Sequence, residues 1–155
     1  MDIGRAMFIA AQVHQGQFDL AGAAYIFHPI RVSQNPILTN DSQRKLALLH
    51  DTLEDYDSDV LPNLPKVLEK GLTPKEFSDL QTLTRTDRIS WDTYITLISE
   101  KYTTSLIKIA DLEDNMNIQR LQKTNVKVLT RLGKYHEAWI FLKKTLKGGL
   151  DLLEK

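Results

Sequence analysis

The pair His50-Asp51 stands in the run Ala47-Leu48-Leu49-His50-Asp51-Thr52-Leu53-Glu54-Asp55, with His28-Pro29 upstream and Ile107-Lys108-Ile109-Ala110-Asp111 downstream. Two imidazoles and two carboxylates are a donor set for a divalent metal, because all four offer lone pairs near neutral pH. Mixed nitrogen and oxygen ligation suits Mn, Fe, Ni or Zn better than an all-oxygen cage does. Taken alone, His50 reads as a hydrogen-bonded helix histidine. The company of Asp51, His28 and Asp111 turns that reading toward ligation. Glu54-Asp55 place two acids at the C-terminal end of a helix, against its dipole, and that misfit favours a role over a merely solvated end.

These residues need elements to hold them, and the pattern is helical almost throughout, with no sustained alternation and no internal repeat. The spacing predicts a first helix from Ile3 to His14, with Ala6, Met7, Ile9, Ala10 and Val13 as its apolar stripe. Gly16 and Gly22 punctuate a loop that returns at His28-Pro29, where proline fits the opening turn of a short helix. Asn40-Asp41-Ser42 offers capping side chains ahead of a motif helix expected from Ser42 to Glu54. On that helix Leu46, Leu49 and Leu53 form a buried stripe, with His50, Glu54, Asp51 and Asp55 beside it.

Tyr56 to Pro65 reads as a loop. Further helices are expected over Pro74 to Leu83, Trp91 to Lys101, Thr104 to Leu121 and Asn125 to Leu146, with Gly148-Gly149 ending the last. The helix through Asp111 is apolar nearly all round, except that Lys108, Asp111 and Asn115 share one face. A charged stripe on a buried helix needs partners, since an unpaired buried charge costs several kcal/mol. Glu113 and Asp114 are read as turning away and as ordinary surface charge. Trp91, Tyr94, Trp139 and Phe141 are expected in the core, His136 at the surface or in packing.

Composition bounds the rest. With 155 residues and 42% hydrophobic content the chain suits one domain, expected over residues 1–149 with a tail at 150–155. Lys+Arg and Asp+Glu are equal at 20 each, so no overall field draws it to nucleic acid or to an anionic membrane. A polyanion must be held by a local pocket. Cysteine is absent, which excludes disulfides and thiolate metal sites. No signal peptide or membrane span is visible, so the expected compartment is the cytoplasm.

The order His14-Gln15-Gly16-Gln17, Gly22, Tyr25-Ile26-Phe27-His28-Pro29, Leu49-His50-Asp51 and Glu54-Asp55 resembles the HD-domain hydrolases of guanosine tetraphosphate (ppGpp). These are the hydrolase half of the RelA/SpoT family and the single-domain small alarmone hydrolases. The resemblance runs from about Ala10 to Leu121. It implies an all-α, single-domain HD helical bundle and a metal-dependent phosphohydrolase that acts on a small-molecule nucleotide. It further implies that His28, His50, Asp51 and Asp111 hold one divalent ion, Mn(II) before others, while Glu54 and Asp55 handle the protons of the attacking water and the leaving oxygen. Lys108 and Asn115 match the family's lysine three before and asparagine four after the ligand aspartate, and would contact the substrate. Tyr25, Arg85 and Arg88 are further candidates for that wall. His14 falls in a family motif but reads as a brace for the loop at Gly16.

The chain departs from the family where substrate is chosen. Asp19-Leu20 stands where the hydrolases carry an Arg-Lys pair, Asp111-Leu112-Glu113-Asp114-Asn115 loses the basic middle of the family's motif, and Ala24 replaces a proline. Each lost charged hydrogen bond to a polyanion is worth about 1.5 to 3 kcal/mol unless Arg31, Arg44 or Arg85 compensates. A different nucleotide is therefore the alternative substrate. A nucleotide-binding sensor without turnover is the alternative function, although the complete ligand set and the Glu54-Asp55 pair speak for catalysis.

Overall fold

Asp2 accepts the Arg5 N–H at 2.7 Å and so caps the first helix, α1, Ile3–Val13. In the computed structural model, which describes residues 1–121, 123 and 125–153 and their side chains as far as Gly148, helices follow one another along the whole chain. They are α2 Phe27–Ser33, α3 Asp41–Leu49, α4 Thr52–Asp55, α5 Leu64–Gly71, α6 Pro74–Leu83, α7 Trp91–Ser99, α8 Tyr102–Asn115 and α9 Val126–Leu153, with a 3-10 turn at Ile118–Arg120. No strand occurs among the described residues; Phe18 and Ala24 form an isolated antiparallel bridge. The chain is all-α, as its periodicity predicts. None of the described helices is long and apolar enough to cross a membrane.

The centre of the bundle is α8. Thr104 to Ile107 and Ile109 to Leu112 are all buried, and α2, α3, α6, α7 and α9 pack around the helix. Leu46 to Leu49 bring the buried face of α3 against it, and Leu38, Leu68, Leu80, Ile98 and Leu142 close the core. Burying such side chains contributes about 1.5 to 3 kcal/mol each. Asn40 caps α3 by accepting the Gln43 N–H, Thr73 and Glu76 form a capping box on α6, and Ser90 caps α7. A helix that starts at Pro74 and another that starts at Trp91 follow from these caps.

Four expectations give way. The motif helix does not run from Ser42 to Glu54: it stops at Leu49 and restarts at Thr52. Leu64–Gly71 is helical, with a proline at its N-terminal turn, where no helix was expected. The Asp111 helix ends at Asn115, and only a 3-10 turn lies before Leu121. The last helix passes through Gly148-Gly149 to Leu153, since each glycine costs only about 1 kcal/mol and neither proline nor a capping residue follows. The expected tail at 150–155 thus begins inside that helix, and its last two residues lie outside the described ones.

Candidate metal centre and cavity

The break in the motif helix is made by side chains. His50 Nδ1 donates to Ala47 O at 2.7 Å and Thr52 Oγ1 donates to Leu49 O at 2.6 Å, so two carbonyls at the end of α3 are satisfied without a continuing helix. The bond also chooses the histidine tautomer: with Nδ1 carrying the proton, the lone pair of the neutral ring is on Nε2. That atom lies 3.1 Å from Asp51 Oδ2 and 3.6 Å from Asp111 Oδ1, is buried, and makes no hydrogen bond.

His28, on α2, is set the same way by a different partner. Its Nδ1 donates to Asp114 Oδ2 at 2.7 Å, which turns Nε2 toward Asp111 Oδ1 at 3.1 Å and Asp51 Oδ2 at 3.6 Å. The donor atoms of His28, His50 and Asp51 lie within 4.8 Å of one another. Three separate segments, α2, the α3/α4 break and α8, thus converge on one point.

The electrostatics of that point favour positive charge. Burial opposes protonation of His28 and His50, yet the adjoining Asp111, Asp114 and Asp51 outweigh it and hold both imidazoles above the ordinary histidine value. Burial would raise the carboxyls of Asp51 and Asp111 as well. The imidazole of His50 and the ammonium of Lys108 instead hold them well below the usual carboxylate range. Two carboxylates, Asp111 buried and Asp51 half-buried, facing two imidazole nitrogens need a cation between them, as protons or as a metal. The orphaned Nε2 of His50 and the nitrogen and oxygen donor set fit a divalent transition metal.

A cavity of about 370 Å³ opens beside the centre, and Tyr25, Asp51, Glu54, Arg85, Lys108, Asp111 and Asn115 all line it. Tyr25 donates its hydroxyl to Asp51 Oδ2 at 2.7 Å, and burial pushes its phenol far above the ordinary range. Lys108 and Asn115 both donate to Asp111, at its Oδ2 and Oδ1, so each braces the candidate ligand while facing the cavity. Glu54 accepts the backbone N–H of Arg85. Burial raises its carboxyl, and the charge of Asp51 pushes the same way.

Not every expected residue arrives there. Asp55 lies 3.8 Å from His14 Nδ1 and lines a separate cavity with Gln12, Gly16 and Asp57. Arg88 is exposed and outside the lining. Arg31 and Arg44 do not compensate for the missing basic pair: Arg31 is held by Asp114, and Arg44 donates to Ser33 O at 3.2 Å. His14 braces its loop as expected, with Nδ1 2.9 Å from Gln17 Oε1.

No family model matches this sequence, and no curated protein does. Solved structures match its shape. One, described as a metazoan orthologue of SpoT that hydrolyses ppGpp and plays a role in starvation responses, aligns with a TM-score of 0.71. The alignment covers 90% of this chain and 84% of that one at 22% identity. The fold is that of a solved ppGpp hydrolase. At that identity the likeness concerns the arrangement of helices, and the roles of individual side chains rest on the geometry above.

Within that fold, several residues at the site carry no motif. Asp114 is no ordinary surface charge: it orients His28, binds Arg31 through two bonds of 2.7 and 3.0 Å, and accepts Arg120 Nη1 at 2.7 Å. The helix itself held the signal, since i and i+3 are neighbours on a helical surface and Asp114 is three after Asp111. Glu113 is also engaged, accepting from Asn35 and from Trp139 Nε1. Arg120, Arg131 and Tyr135 line the cavity from the far end of the chain, where only tertiary packing brings them.

Proposed function

We propose that this chain is a metal-dependent phosphohydrolase that cleaves a phosphate or pyrophosphate ester of a nucleotide. The observation that carries the reading is the pair of imidazole Nε2 atoms, each aimed by an Nδ1 bond at the buried Asp111 and the half-buried Asp51, beside a cavity whose wall includes Arg85 and Arg131, which have no carboxylate partner among the described residues. His28, His50, Asp51 and Asp111 hold the metal, with Mn(II) the first ion to try. A divalent ion so held supplies a water of lowered pKa and offsets charge on the phosphate.

The remaining steps belong to the protein. Glu54, whose carboxyl is raised by burial and by the charge of Asp51, takes a proton from the attacking water. The water oxygen bonds to phosphorus as the ester P–O bond breaks, and the proton held by Glu54 passes to the leaving oxygen. Arg85, Lys108 and Arg131 receive the phosphate oxygens, and Tyr25 holds Asp51 in place. The likeness to a ppGpp hydrolase makes ppGpp the first substrate to test. Asp19, with its charge already taken up by Arg120, favours a second reading in which another nucleotide is preferred.

The test is phosphate and pyrophosphate release from a nucleotide panel, with and without Mn(II), beside Asp51→Ala. Release that needs the metal and vanishes in the variant supports the hydrolase. Stoichiometric metal with no release from any nucleotide replaces it with a nucleotide sensor.

A further inference from the structure

The cavity has two unlike walls. On one side cations and aromatic rings form a continuous surface. The Arg85 guanidinium lies 5.8 Å and the Lys108 ammonium 5.7 Å from the Trp91 ring centre. Tyr135 lies 5.7 Å from Trp91, and Arg131 lies 5.9 Å over Tyr135. Among the described residues neither Arg85 nor Arg131 has a carboxylate partner, and Arg131 Nε is buried without a hydrogen bond. Unpaired guanidinium groups facing a cavity are receptors for phosphate oxygens.

Another stretch of the lining, around Asp19, carries a charge that is already taken up. Asp19 accepts the N–H groups of Ala21 at 2.9 Å and Ala23 at 3.0 Å and is paired with Arg120; the Ala23 N–H and then Arg120 hold its carboxyl below the ordinary value even though burial opposes this. Arg120 is in turn shared with Asp114. The loop is closed by the Phe18 and Ala24 bridge and by Asp19 N–H to Ala23 O at 2.8 Å, with Gly22 at φ 82° making a turn that favours glycine. The loop lines the cavity with Phe18, Asp19, Leu20 and Ala21, and of these Phe18 and Leu20 are large apolar side chains, 69% and 67% exposed. Large apolar side chains left this open on a fixed loop, at the mouth of a polar cavity, mark a contact surface for an uncharged ring.

We infer that the substrate is a nucleotide whose phosphates all lie on one ribose carbon, seated at Arg85, Lys108 and Arg131, with its base against Phe18 and Leu20. A nucleotide with phosphate groups on both the 3′ and 5′ carbons must press one of them toward the apolar wall, where Asp19 and Asp114 already occupy Arg120. The inference rests on the hydrolase reading and narrows its substrate.

It is tested with the Mn(II)-loaded full chain by comparing kcat/KM for guanosine 5′-triphosphate, guanosine 3′-diphosphate and ppGpp in the wild type, Phe18→Ala and Leu20→Lys. At least one singly substituted nucleotide is expected to exceed ppGpp tenfold or more. Phe18→Ala should lower its kcat/KM about five- to 150-fold, mainly through KM, the effect of losing one base-aromatic stack. Inhibition by inorganic pyrophosphate, which has no base to seat and reads only the metal and the cationic wall, should stay the same and confirm an intact fold. Leu20→Lys should shift the preference toward ppGpp. Use of ppGpp as well as or better than the others, indifferent to Phe18→Ala, overturns the inference and leaves the hydrolase standing. Release from none of the three, nor from any other nucleotide, overturns both.

Discussion

Helix α3 carries a buried charged cluster at each end, and the two are built on opposite plans. At its N-terminal end Glu76 Oε1 accepts Ser42 Oγ and Lys45 Nζ, each at 2.7 Å, and Oε2 accepts the Thr73 N–H at 2.9 Å. One carboxylate meets one ammonium and neutral donors, and nothing is left over. At the C-terminal end, among the described residues, Asp51 and Asp111 meet one lysine and the Nε2 atoms of two imidazoles, which match their charge only by taking up protons or by sharing a metal with them. The first cluster is complete within the protein and acts as a clamp between α3 and α6. The second becomes complete only with a cation from outside, and beside it lies an open cavity lined by Arg85 and Arg131, which have no carboxylate partner among the described residues. Burial and charge are common to both; the unmet demand for positive charge separates a candidate site from a structural clamp.

The strongest way to break this contrast is Glu54→Gln. Glutamine keeps an oxygen for the Arg85 N–H but cannot take a proton, so turnover should fall about 10²- to 10⁴-fold with metal affinity unchanged. The pH profile gives the sign. A raised carboxyl is protonated below a pKa higher than the ordinary glutamate value of about 4.3, so the wild-type rate should drop on the acid side from above that value. An acid limb that persists in the glutamine variant would assign the proton step to another group. Asp55, beside His14 and outside the main cavity, should affect that limb less.

Much of the contrast was legible in the sequence. His28, His50, Asp51 and Asp111 could be picked out because an imidazole and carboxylate set stood in a recognisable order, and the all-apolar circumference around Asp111 announced a central helix. The break at His50-Asp51 was not legible, because the apolar period runs straight through it. Only the bonds from His50 and Thr52 to the carbonyls of α3 end the helix there. The helix Leu64–Gly71 was hidden by the prolines and acids before it, which read as loop. Asp114 was misjudged because its partners, His28 and Arg31, are more than 80 residues away in sequence, as the separations of 86 and 83 show. Arg131 and Tyr135 reach the cavity through the packing of α7 and α8 against α9, which no local pattern encodes.

Asp114→Ala sharpens the comparison from the edge of the site. Asp114 acts by holding His28 Nδ1, which aims Nε2 at the centre. Loss of such a partner typically weakens metal affinity about 10- to 100-fold, and it also releases Arg31 and Arg120 from a shared carboxylate. Calorimetric titration with Mn(II) should show that weakening even where the fold, read by circular dichroism, is kept. Asp114→Asn, which still offers an oxygen to His28 Nδ1, should recover part of it. Unaltered affinity in the alanine variant would mean that His28 is oriented by packing alone.

The smallest effect on the metal centre belongs to the closed cluster. Glu76 is held at about 2 by the Lys45 ammonium, the Ser42 hydroxyl and the Thr73 N–H, against a burial effect that works the other way. Its folded value lies below the unfolded one near 4.3, so its contribution is fully present above that pH and is lost as the pH falls toward 2. Glu76→Gln removes the charge and should lower stability by about 1.5 to 3 kcal/mol at neutral pH, the scale of a hydrogen bond to a charged group. As the pH falls through the window from about 4.3 to 2, the wild type should lose that advantage and the two thermal midpoints should converge. Metal affinity should not change at any pH where the chain is folded, because the two ends of α3 share no charged partner. A variant that lost metal as well as stability would show that the clamp at one end of α3 sets the geometry of the centre at the other.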